Sequence, residues 1–209
     1  MKRTLLTLAT AAALLASRPA SAQVYGQYTG AECVPLGGHL FGGYLHASRD
    51  FFGLLTQLRL SFYPNVDFGF QGGLTRISLR GGDVTTLRVG SDIKFKVVHA
   101  RQVDLSLGGA LSVETGDHLH LLTLGPTAVA SRTFGGNSGA GITPYAGVGL
   151  LFTNAELETR EFTDFSIPFR LGAELRLAPE VRLVAEVQLR ASDEINNDIG
   201  FTTGVNLPF

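Results

Sequence analysis

Tryptophan is absent from the 209 residues, and cysteine occurs once, at Cys33. A lone cysteine makes no internal disulfide and offers no thiolate cluster to a metal, so no metal site is expected. Long apolar runs are missing as well. The stretch Leu5 to Ala16 falls short of the roughly 20 residues that a membrane-spanning helix needs. Nor is there an excess of positive charge. Setting aside Lys2, Arg3 and Arg18 from the 17 Lys and Arg leaves 14 against 18 Asp and Glu, a net charge of −4. That balance offers no footprint for nucleic acid. The paired glycines Gly81-Gly82 and Gly135-Gly136 belong to turns and open no helix, so no phosphate-cradling loop and no cofactor is expected.

What is present begins with a leader. Lys2 and Arg3, the short apolar run and Ala20-Ser21-Ala22 have the layout of a secretory signal peptide over residues 1–22, cut after Ala22. Such a leader takes the chain across the inner membrane of a Gram-negative cell. Cys33 follows Gly30-Ala31-Glu32 rather than an apolar run, so it is not a lipid anchor. Residues 23–37 carry no clear pattern and read as a periplasmic lead-in to a single domain, 38–209.

That domain is written in period two. Phe165, Ile167, Phe169, Leu171, Ala173, Leu175 and Leu177 share one face of a strand, with Ser166, Arg170, Gly172, Glu174 and Arg176 on the other. Val181, Leu183, Ala185, Val187 and Leu189 likewise oppose Arg182, Glu186, Gln188 and Arg190. Ten such runs are read near 38–47, 53–63, 67–77, 84–98, 103–114, 119–133, 142–153, 165–177, 181–191 and 199–209. An all-β fold follows: a closed antiparallel transmembrane β-barrel of about 10 strands, with 8 as the alternative if the first runs are peripheral. A soluble barrel of lipocalin type would put the apolar face inside. The Gly, Ser and Thr on the polar face, with charges of both signs recurring strand after strand, favour the reverse. Turns at Pro64-Asn65-Val66 and Ala178-Pro179-Glu180 read as periplasmic, and the long stretch Asn154 to Asp164 as an outer loop. Two aromatic belts are expected. Phe62, Tyr63, Phe68, Phe134 and Phe209 make the inner one, and Phe51, Phe52, Phe152, Phe165 and Phe201 the outer.

The final run sharpens the reading. TTGVNLPF, with Thr202, Gly204, Leu207 and Phe209 at its marked positions, resembles the C-terminal assembly signal of bacterial outer-membrane barrels. With the leader and the alternation, the chain resembles the small OmpA/OmpX-like barrel class, without the periplasmic peptidoglycan-binding domain that full-length OmpA-type proteins carry. The resemblance implies location in the outer membrane. It also implies outer-membrane lipid, lipopolysaccharide and the barrel-assembly machinery as partners, with no specific ligand named.

The candidate site is the charged face of one hairpin: Arg170, Glu174, Arg176, Arg182, Glu186 and Arg190. Cross-strand neighbours there lie close enough for long side chains to meet. Asp92, Lys94, Lys96, Asp104, Arg59 and Arg88 extend the set around the barrel. Unpaired buried charge is costly, so a structural ion network in a plugged or narrow lumen is the leading reading. The alternative is a small porin-like channel or solute site lined by arginine. A third reading, a barrel hydrolase, rests only on residue types: His118 and His120 beside Asp117, with Ser112, Thr115 or Thr123 as nucleophile. No catalytic residue is assigned, and the expected protein is non-enzymatic, with an envelope-structural or surface-interaction role. The acidic stretches Glu156, Glu158, Glu161, Asp164 and Asp193, Glu194, Asp198 read as solvated loops.

Overall fold

The structure, a computed structural model, describes residues 27–49, 51–79, 82–100, 102–117, 119–135, 140–157, 160–192 and 199–209. The leader and its cleavage point lie outside these residues, as do His118, Glu158, Asp193, Glu194 and Asp198. Among the described residues the chain forms ten long strands. They are β1 (His39–Ala47), β2 (Phe51–Tyr63), β3 (Val66–Leu79), β4 (Gly82–His99) and β5 (Asp104–Gly116). Then come β6 (Leu119–Ser131), β7 (Gly141–Gly149, resumed as Leu151–Leu157), β8 (Arg160–Ala178), β9 (Val181–Ser192) and β10 (Ile199–Pro208). Each pairs antiparallel with its neighbour in sequence, and β10 pairs with β1 from Leu40↔Pro208 to Ala47↔Phe201. The sheet is therefore closed, with ten strands rather than eight.

Closure explains why so long a sheet is tolerated: in hydrocarbon every backbone N–H and C=O needs a partner, and a closed barrel leaves no edge. One break in the β6–β7 ladder has a local cause. Pro126 has no N–H to give, and β7 is interrupted opposite it at Leu150, whose N–H still donates to the Pro126 carbonyl at 3.0 Å. The shortest walls, β1 with nine residues and β10 with ten, match the roughly 9–11 residues of a tilted membrane strand.

The barrel has two ends. One, here the base, carries His39, Phe209 and the two-residue turns 64–65 and 179–180; the other, the rim, carries the β1–β2 and β7–β8 turns. The rim differs from expectation. The stretch Asn154 to Asp164 is not a long acidic loop, because β7 runs to Leu157 and β8 starts at Arg160. Thr153, Ala155 and Asp164 keep the inward phase and are fully buried there, while Glu156 and Glu161 point outward across the pair. At the base, Phe134–Gly135 makes a two-residue strand against Gly141 and Ile142, so Gly135, expected in a turn, is strand-paired.

Polarity settles which face is inside. Leu54, Leu74, Val89, Leu111 and Leu171 are about half exposed on the outer wall, whereas Arg59, Asp67, Lys94, Arg170 and Glu186 are buried. A soluble barrel cannot present such a wall to water. This one is a membrane barrel. Phe62, Tyr63, Phe134 and Phe209 are exposed near the base, and Phe52, Phe152 and Phe201 near the rim, as two belts require. Phe51 is the exception: it has the inward phase and is buried in the lumen.

The largest departure lies before the first strand. The lead-in expected to wait outside the barrel instead turns into it. Gln27 to Ala31 are buried within the lumen, and the chain leaves at the base through Pro35, Gly37 (φ +75°) and Gly38. The left-handed φ at Gly37 suits a residue without a side chain, and lets the segment fold back onto β1. Residues 27–34 are called the strap below.

Candidate functional site

The lumen has three layers. Towards the rim, inward positions of several strands are apolar: Phe51 and Leu55 of β2, Ile77 of β3, Leu119 and Leu121 of β6 and Ala155 of β7 form one buried cluster, with Phe162 packed against it. Phe51 faces Ile77 across β2–β3 and Leu121 faces Ala155 across β6–β7, so the ladder itself brings them together. Below this cap, Tyr44 and Tyr145 cross the middle of the barrel. Each lies over a glycine of the next strand. A Cβ on Gly204 would sit 2.4 Å from the Tyr44 ring, and one on Gly172 2.4 Å from that of Tyr145. The luminal glycines thus make room for aromatic side chains.

The third layer, at the base, is ionic. Arg59 spans two carboxylates. Its Nη2 donates to Asp67 and, at 2.8 Å, to Asp92 Oδ1, while its Nη1 donates to Asp92 Oδ2 at 3.2 Å. Lys94 Nζ lies 3.6 Å from Asp67 Oδ2. Two cations and two anions, each no more than 5 % exposed, therefore neutralise one another. Gln71 Nε2 adds a 3.1 Å bond to Asp92. An incomplete set would leave a charge in a low-dielectric interior at a cost of several kcal/mol.

The strap completes this layer. Lys94 has three N–H donors. They reach the Thr29 hydroxyl at 3.2 Å, the Gly30 carbonyl at 3.0 Å and the Glu32 carbonyl at 2.8 Å. Gln27 Nε2 donates to Asp92 at 3.1 Å, the Gly30 N–H to Glu174 at 2.7 Å, the Ala31 N–H to Ser131 at 2.8 Å and the Val34 N–H to Asp67 at 3.1 Å. Asn206 Nδ2 donates to the Tyr28 carbonyl at 2.9 Å, and the Tyr28 and Tyr44 rings meet at a tilt with centroids 4.2 Å apart. A segment with no strand partner has its backbone satisfied by luminal side chains, as a buried irregular backbone must.

The predicted hairpin charges are all on the inner face, but they do not form one network. Arg170 lies 3.5 Å from Glu186, which also accepts from Tyr145 at 2.8 Å and Gln188 at 2.6 Å. Arg182 lies 3.7 Å from Glu174 near the base. Arg190 pairs at 3.0 Å with Asp164, a residue expected in a loop. Arg176 stands directly across the ladder from Arg182. The hairpin therefore feeds three separate places along the lumen. The densest cluster sits elsewhere, on β2, β3 and β4. Sequence reading named Arg59, Asp92 and Lys94 but missed Asp67, Gln27 and Tyr28. Asp67 was legible from its phase with Gly69 and Gln71; the strap residues carry no periodic signal.

The final-strand residues divide by face. Thr202 is buried, with its hydroxyl 2.7 Å from His46 Nδ1, and Gly204 lies beneath Tyr44. Leu207 faces outward, and Phe209 stacks on His39 with ring centroids 5.3 Å apart. The histidines have separate partners: His46 with Thr202, His99 with Asp104 at 2.5 Å and His120 with Thr115 at 2.9 Å. Among the described residues no group of three or more His, Cys, Asp or Glu could hold a metal ion.

In shape the chain is similar to three solved barrels. It covers 83% of itself and 98% of the N-terminal β-barrel domain of Pseudomonas aeruginosa OprF at 12% identity and a TM-score of 0.43. Against an outer membrane channel from Pseudomonas putida F1 the figures are 90%, 100%, 13% and 0.49. Against the β domain of the Bordetella autotransporter BrkA they are 83%, 100%, 14% and 0.44. No family model and no curated protein sequence matches the chain.

Proposed function

We propose that this chain is an integral, non-enzymatic barrel of the bacterial outer membrane whose lumen is sealed, serving an envelope-structural or surface-interaction role. One observation carries the reading: the lumen is filled twice, by the apolar cap towards the rim and by the strap at the base. The leader and the final strand, with Thr202, Gly204, Leu207 and Phe209 as the handle for the assembly machinery, support the outer-membrane address and put the base on the periplasmic side. Lipopolysaccharide and phospholipid are then the partners of the outer wall. Arg59, Arg170 and Arg190 serve as structural counter-ions rather than as the lining of a path.

Conductance in a planar bilayer tests this. Folded protein, authenticated by a gel-mobility change on boiling, is expected to show no discrete steps. Reproducible steps from that sample, absent after boiling, would favour the porin-like channel and end the sealed reading.

A further inference from the structure

The base of the barrel holds a cavity of about 490 Å³ that the sealed-lumen reading does not use. Strap residues Thr29, Gly30, Glu32, Cys33 and Val34 line it together with residues from the strand ends, among them Arg176 and Arg182. These two arginines occupy opposed positions of the β8–β9 ladder, one step before its bulge and turn. Like charges directly opposite one another destabilise a strand pair. Arg59, Arg170 and Arg190 each stand within 4 Å of a carboxylate of their own, whereas the charge at this ladder position is not matched in that way. Glu174, the carboxylate nearest Arg182 at 3.7 Å, is already engaged by the Gly30 N–H and by Asn206. Asp67, also on the cavity wall, is committed to Arg59, Lys94 and the strap. Among the described residues Arg176 has no ion pair, and Arg182 Nε has no hydrogen-bond partner. The lining holds two further acids, Glu32, half-buried, and Glu180, exposed, and neither forms an ion pair with Arg176 or Arg182 among the described residues. Two guanidiniums lining one space, with the carboxylate beside Arg182 already engaged, make a fork-shaped anion receptor.

We propose that the base cavity binds an oxyanion, a phosphate or phosphate ester, between Arg176 and Arg182. The shared chemistry is the phosphate group, whether it belongs to a free solute or to the headgroup of a phospholipid at the barrel mouth. The pocket is blind, because the strap closes its inner side, so it captures rather than conducts.

The test uses the full mature chain folded in a phosphate-free maltoside detergent. Pyrophosphate is titrated by calorimetry at constant ionic strength, and the same protein is examined in nanodiscs with and without phosphatidylglycerol. Saturable binding of pyrophosphate, weakened at least tenfold by Arg176→Gln and by Arg182→Gln but unchanged by Arg132→Gln on the outer surface, supports a solute site. Phosphatidylglycerol retained through purification by the native chain, and lost by both variants, supports a headgroup site. The opposed charges give a second readout. In anion-free buffer Arg176→Gln should resist heat at least as well as the native chain, and pyrophosphate should stabilise only the native chain. Binding of neither probe, or binding indifferent to both substitutions, overturns the proposal. Should either glutamine variant fail to fold, Arg176→Lys keeps the charge and must still lose the fork-dependent part of the affinity.

Discussion

Towards the rim the lumen is filled by Phe51, Ile77, Leu119 and Leu121, side chains that belong to the wall itself. At the base it is filled by residues 27–34, a segment that belongs to no strand. The first filling is apolar, shape-dependent and inseparable from the fold. The second is held mainly by hydrogen bonds to luminal side chains, with Tyr28 reaching into the apolar cluster, and it joins β1 through Pro35 to Gly38. Water can replace the acceptors the strap offers to Lys94, whereas nothing replaces a missing apolar cap except a cavity. The two seals thus fail differently, and the base is the end that can open without unfolding the wall.

The sharpest way to break this comparison is to remove the seals one at a time. A chain lacking residues 27–34 should fold and stay silent in a planar bilayer, because the cap remains. The same deletion combined with Phe51→Ala and Leu121→Ala should give discrete steps. Conductance from the strap deletion alone would show that the rim does not seal.

Stability separates the halves next. Arg59→Met strips Asp67 and Asp92 of their shared partner inside the base cluster, and loss of one member of a buried pair costs about 3–5 kcal/mol. Ile77→Val keeps most of the rim volume and should cost about 0.5–1.5 kcal/mol. Urea unfolding in detergent measures both, and a reversed order would mean that the ionic layer is not what holds the base.

The smallest effect is chemical. Burial pushes the Cys33 thiol above its ordinary pKa, with Lys94 pulling the other way. Only the thiolate alkylates, so modification of the folded chain at neutral pH should run slower than in urea and rise with pH past the range of a free thiol. Deleting part of the strap contacts with Gln27→Ala should bring that profile back towards the free thiol; an unchanged profile would mean that Cys33 does not report on the strap.

Much of this was legible in the residues. Period two over Phe165 to Leu177 and Val181 to Leu189 marks strands because side chains alternate by geometry, whatever the medium. Such runs in succession pointed to a closed barrel, since an open sheet of that length would leave two edges, while eight strands stayed open beside ten. Strand ends were harder. Asn154 to Asp164 looked like a loop because of its four acids, yet Asp164 is buried against Arg190, a partner 26 positions away. Phe51 looked like a belt residue because aromatics near strand ends usually are, and one step of phase put it inside.

The sequence by itself determined the alternation and which residues share a face, because these depend on neighbours two positions apart; ten strands rather than eight was decided by the closed ladder. Only the tertiary structure decided what fills the lumen. Pairing of β2 with β3 and of β3 with β4 brings Arg59, Asp67, Asp92 and Lys94 onto one set of counter-charges, and closing the barrel adds Asn206 of β10 as a partner for the strap. It also leaves at the base a space that residues 27–34 occupy, though their order carries no period to announce it. Their fold is imposed by the donors and acceptors waiting on the wall, and those exist as a set only once the first and last strands have met.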